Sequence, residues 1–141
     1  MRGALRTPDQ FDSALTHELA HAMIVSLAPR GVPAWLHEGL ATHLEPSSPR
    51  DALRRLQFAG MFVPLEDLQN GFGGLTAPQA RVAHDESHVA ASLLLERLGV
   101  NMSLLLESLG RGQDMAAALA QFGLTYADFE RDVVARIKTA R

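Results

Sequence analysis

Two imidazoles four residues apart, with a carboxylate beside the first, make up His17-Glu18-Leu19-Ala20-His21. On a helix, residues four apart stack on one face, so His17 and His21 are spaced to hold one divalent ion. Glu18 lies one step round and is placed to take a proton from a water held there. This spacing points to hydrolysis by metal-activated water; the alternative is two ordinary histidines on an ordinary helix. A catalytic zinc takes three protein ligands and keeps one position for water, so a third ligand must come from elsewhere. The best candidate is Glu38, in Pro33-Ala34-Trp35-Leu36-His37-Glu38-Gly39-Leu40-Ala41. Gly39 beside it has no side chain, which lets this segment approach the metal helix closely. Glu45, two turns on, is either a carboxylate that hydrogen-bonds a ligating histidine or a solvated helix-end glutamate. His37 and His43 point away from Glu38 on a helical wheel and become ligands only in a different register. Zinc is inferred from ligand type, which selects weakly among divalent metals.

The elements that must position these residues read as helices almost throughout. Thr7-Pro8-Asp9-Gln10 has the residues of a helix start, and Phe11, Leu15, Leu19 and Ala22 follow at helical spacing. This metal helix is expected to run to about Ala28, where Pro29-Arg30-Gly31 ends it. A second helix follows Pro33, with Leu36, Leu40 and Leu44 as its apolar stripe and Glu38, Thr42 and Glu45 opposite. Pro46 and Pro49 close it, and Arg50 to Ala59 reads as a third helix. Met61 to Leu75 is loop-like, most flexible at Asn70-Gly71-Phe72-Gly73-Gly74. Thr76 caps a long fourth helix ending at Leu98-Gly99. Shorter helices are expected at about Met102–Leu109 and Asp114–Phe122, each stopped by glycine, and a last one from Thr125 to about Thr139. No segment alternates with period two, so the fold class is all-α or nearly so.

A chain of 141 residues fits one domain with a single core. Within it, 1–47 carries the metal-binding helices, 48–98 a connecting helix, a loop and the long fourth helix, and 99–141 a C-terminal helical part. The net charge is −3 and the charges are mixed, so no basic run suggests nucleic acid or an anionic membrane as a partner. The absence of cysteine excludes disulfides and thiolate metal sites. The apolar stretches look too short to span a bilayer, and Met1-Arg2-Gly3-Ala4-Leu5-Arg6 lacks the apolar core of a signal peptide. The expectation is a soluble protein of unspecified compartment.

His17-Glu18-Leu19-Ala20-His21 followed by Trp35-Leu36-His37-Glu38-Gly39-Leu40-Ala41 resembles the gluzincin zinc metallopeptidases. Within them it is most similar to the peptidase MA-like branch, which is related to the catalytic domain of gluzincin aminopeptidases. The resemblance implies that Glu38 is the third zinc ligand, since it occupies the glutamate of W-L-x-E-G-[FL]-A, and that the two helices are antiparallel neighbours. Sixteen residues separate His21 from Glu38, slightly fewer than in the aminopeptidases, which fits a shortened connection. The likeness runs from about Leu15 through the fourth helix and more faintly to the C-terminus. Members of the family use a tyrosine, fifteen residues before a helix-ending glycine, to hydrogen-bond the oxyanion. Counting back from Gly99 gives His84. A protonated imidazole can donate to an oxyanion, and thermolysin-like gluzincins use histidine comparably. His88, four residues on, is the second candidate for that role. His84 and His88 also have the spacing of a metal-binding pair, without a matching third ligand, or else both line a polar groove.

Full gluzincins have a small sheet before the metal helix, whose edge strand pairs with substrate; with the metal helix expected almost at the first residue, no room for that sheet is expected in this sequence. The G-x-M-E-N segment of the aminopeptidases is also missing. The resemblance therefore implies either a minimal, minigluzincin-like domain or the helical part of a larger gluzincin. A peptide substrate would need another surface to align it: the loop at Asn70–Gly74, a second copy of this chain, or a missing partner domain. Three functions follow. The first is a zinc metallopeptidase holding one ion through His17, His21 and Glu38, with Glu18 as general base and His84 as oxyanion donor. The second is a zinc-binding structural or interaction domain with little or no catalysis. The third is a latent enzyme whose last helix, with Tyr126, Phe129, Val133 and Ile137 on one face, covers the cleft rather than packing in the core.

Overall fold

Thr76 opens the longest helix with a reciprocal cap. Its hydroxyl accepts from Gln79 N, and the Gln79 side-chain oxygen accepts from Thr76 N at 2.9 Å. Pro78 in the first turn has no N–H to leave unsatisfied. The helix stops at Gly99, whose φ of 54° suits a residue without Cβ. The computed structural model describes Ile24 and residues 32–44 and 49–139. Its helices are α1 (Ala34–His43), α2 (Pro49–Ala59), α3 (Ala77–Leu98), α4 (Met102–Gly110), α5 (Met115–Ala120) and α6 (Tyr126–Thr139). No strand occurs among the described residues, and the fold class is all-α. The expected metal helix, with His17, Glu18 and His21, lies outside the described residues, as does Glu45.

The spine is α3, about 33 Å long at 1.5 Å per residue. It buries residues on more than one face, including Val82, Val89, Leu94 and the polar Asp85, Glu86, Ser87 and His88. Helix α1 packs along it most extensively, through a crossing of small residues. A Cβ on Gly39 would sit 2.1 Å from Ser87 O and 2.6 Å from Ala91 Cβ. The close approach expected of Gly39 is thus made to α3, because Gly39 lies on the face of α1 that meets Ser87 and Ala91. Ser87 Oγ, buried at this crossing, is satisfied by Ala83 O at 2.7 Å.

Helix α1 is buried almost all round, and the two-faced wheel expected for it fails at two positions. Thr42 is buried rather than on a polar side, and Leu44 is 55% exposed, one residue past the helix end. Pro49 does not close this helix; it starts α2, where its fixed φ suits the first helical position.

The remaining helices close the core. Trp35 of α1 is fully buried; its indole N–H donates to the Tyr126 hydroxyl at 2.6 Å, and its ring stacks on Phe129 at 5.9 Å. Burying Trp35 and Phe129 contributes about 2–3 kcal/mol each. Val133 and Ile137 are buried on the same side of α6. The apolar face of the last helix is therefore core. The segment before Leu75 is less loose than a loop reading suggests: Leu65–Leu68 forms a 3₁₀ turn, and Val63, Leu65 and Leu68 are buried. Two glutamates pin it. Glu86 accepts from Val63 N at 2.6 Å, and Glu130 accepts from Leu65 N at 3.1 Å. The helical stretch Ala77–Gly110 is long and apolar enough, by length and composition, to cross a membrane, contrary to the sequence expectation. Half of its most apolar part is buried within the protein, and a core helix meets the same criterion.

Candidate active site

The crossing of α1 and α3 brings together two residues that are 46 positions apart in sequence. Glu38 Oε2 lies 3.9 Å from His84 Nδ1, with the side chains 32% and 46% exposed. Gly39 and Ser87 set this separation: with a larger residue at 39 the helices could not come so near. At 3.9 Å the pair is beyond a direct hydrogen bond but within electrostatic reach when the imidazole is protonated. Both side chains are partly exposed, and His84 borders an open cavity.

His88 has a different environment. It is 2% exposed, its Nε2 has no hydrogen-bond partner among the described residues, and its ring meets His43 edge-on at 6.1 Å. Burial, then the nearby charges of His43 and His84, push its pKa down to about 4. At neutral pH it is an uncharged core histidine. The sequence places His84 and His88 on one helical face, as alternative oxyanion donors, a metal-binding pair or the lining of a polar groove; the structure separates them because α3 is covered where His88 emerges. His43 is exposed and bonded to Ser92 Oγ at 3.1 Å.

Two features here were not visible in the sequence. Arg55 of α2 grips Asp85 through two hydrogen bonds, 2.9 and 2.8 Å, next to His84 on α3. This fork-to-carboxylate geometry is the strong form of the pairing. Acidic and basic residues 30 apart carry no local signal, so only the packing of α2 on α3 reveals it. Glu86, two residues after His84, is fully buried with Oε2 unpartnered among the described residues. Burial pushes its carboxyl up to about 8, against the opposing effect of the Val63 N–H, with the Glu130 charge adding to the rise. Its N–H acceptor role is structural and its chemistry is walled off from solvent.

Among the described residues, no group of three histidine, aspartate or glutamate side chains gathers as a metal site. Glu38 is the one member of the sequence-derived ligand set that falls within them, so the donor chemistry is tested there alone. The Glu38 carboxylate, 32% exposed, is an oxygen donor of the kind zinc accepts. The chain matches no protein-family model, no curated protein and no solved structure.

Proposed function

We propose that the protein is a zinc-dependent metallopeptidase of the gluzincin type. The observation that carries this reading is the meeting of Glu38 and His84, the two residues that the resemblance implies for ligand and oxyanion donor, on one solvent-open face. They come from separate helices, 46 positions apart in sequence. In this reading His17, His21 and Glu38 hold the metal. When bound, zinc supplies Lewis acidity to a substrate carbonyl and to water. Glu18 accepts a proton on its carboxylate during attack and passes it to the leaving amine. His84, when protonated, donates a hydrogen bond to the oxyanion. His88, buried and neutral, is in no position to serve as that donor.

The test is hydrolysis of unfolded protein by the zinc-supplemented chain, read by mass spectrometry of the fragments. Glu18→Gln is expected to lower cleavage by roughly 10²–10⁴-fold while keeping the metal. Cleavage at the wild-type rate by this variant would overturn the mechanism.

A further inference from the structure

An open cavity of about 410 Å³ begins at His84 and is bordered by Arg55, Arg81 and Asp85. A second, of about 640 Å³, shares those last three residues and continues between α2 and α3 to Arg54, Phe58 and Met61. The two form one trough leading away from the Glu38–His84 pair. From His84 to Pro78, at its far end, α3 rises about 9 Å, which spans about three residues of extended peptide.

The walls have a distinct chemistry. Three guanidinium groups, of Arg54, Arg55 and Arg81, border the trough, and among the described residues only Asp85 opposes them inside it. Arg55 is held by Asp85, with Asp51 adding a negative charge nearby. Arg54 and Arg81 have no ion-pair partner among the described residues. The trough is thus cationic on a chain whose net charge is −3. Its outer end is apolar: Phe58 is 96% exposed and Met61 39%. Phe58, almost fully solvated one helical turn from Arg54, thus offers apolar surface directly beside positive charge.

We infer that this trough is the track for an acidic segment of a peptide substrate, with carboxylates on Arg54 and Arg81 and an apolar side chain against Phe58 and Met61. The inference rests on the peptidase reading and deepens it: it gives the chain a surface that aligns the substrate where no sheet edge is described. A concave, three-residue track opening at the candidate site favours a peptide over a membrane, for which one exposed aromatic ring offers little insertion area.

The test is fluorescence-anisotropy binding with the Glu18→Gln full chain, so that the probe is not cut. One probe is a blocked hexapeptide of glutamate, leucine and phenylalanine, and the other carries lysine in place of each glutamate. The acidic probe is expected to bind at least about tenfold tighter, with affinity falling as salt rises. Arg54→Glu with Arg81→Glu should remove that preference, and Phe58→Ser should weaken both probes severalfold. All three residues are exposed, so unchanged thermal unfolding is expected to accompany these losses. Equal binding of the two probes, or acidic-probe binding untouched by the double charge reversal, would overturn the inference. So would binding to phosphatidylglycerol vesicles with no binding of either peptide. The readout needs no hydrolysis, so the two proposals fail separately. Arginine-dependent binding without any zinc at Glu38 would keep the acidic-segment site and remove the peptidase reading, and zinc without probe preference would do the reverse.

Discussion

His84 and Glu38 meet at the surface, while Glu86 and His88, on the same short stretch of α3, are sealed inside. The outer pair is about a third to a half exposed; the inner residues are 0% and 2% exposed. Chemically these are the same two side-chain types. Burial, the largest influence on both, with the Glu130 charge on one and the His43 and His84 charges on the other, makes the inner carboxyl a neutral acid near neutral pH and the inner imidazole a neutral base. The inner glutamate has one oxygen committed to Val63 N and ties down the loop; it cannot exchange that partner for a ligand without loosening the fold. The outer pair is partly exposed, and neither of its residues is committed to the buried loop. A run of polar residues on one helix thus divides into structure and candidate chemistry according to which turn is covered.

Gly39 underlies both halves of this comparison, so its substitution should have the largest effect on stability. A Cβ there collides with backbone at Ser87, between Glu86 and His88, and displaces Glu38 from His84. Gly39→Ala is expected to destabilise by about 3 kcal/mol, read by chemical denaturation. A loss below the error of that measurement would mean that the crossing is not as tight as described.

The inner residues should govern stability against pH, in opposite directions. Glu86 is raised above its unfolded value of 4.5, to about 8, so the folded state holds the extra proton between these values. Its contribution is full below 4.5 and is lost as pH rises through about 8. His88 is lowered from 6.5 to about 4, so its contribution is full above 6.5 and is lost as pH falls toward 4. Together they predict greatest stability between about pH 4.5 and 6.5, falling on either side. Glu86→Gln, which keeps an acceptor for Val63 N without an ionisable proton, should remove the alkaline fall and stabilise the chain at pH 8 by roughly 1–3 kcal/mol. An unchanged alkaline limb in Glu86→Gln would contradict the burial of this carboxyl. The outer pair supplies the smallest effect: His84→Asn should change stability by less than about 0.5 kcal/mol, while lowering the rate of any peptide cleavage. A large loss of stability would show that His84 belongs with the structural set.

Much of the helical frame was legible in local signals. The Thr76 cap and the Gly99 stop are both where the sequence puts them. Asp114 caps α5, accepting from Ala117 N, and Thr125 accepts from Asp128 N at the start of α6. What was not legible depends on which faces are covered. A helical wheel of α1 could not show that Thr42 is buried and Leu44 exposed, because the helix is enclosed on more than one side. Nor could periodicity separate His84 from His88, four residues apart and on nominally the same face. The Arg55–Asp85 grip and the trough beside it depend on the packing of α2 against α3, which leaves no mark in either local sequence.

Metal content of the purified chain by mass spectrometry, measured beside Glu38→Ala and Glu18→Gln, tests the central claim most directly. About one zinc per wild-type chain is expected, retained in Glu18→Gln and lost or greatly weakened in Glu38→Ala. A wild-type chain that neither holds zinc nor is stabilised by it, or a Glu38→Ala chain that binds it undiminished, would contradict the assignment of Glu38 and the peptidase reading built on it.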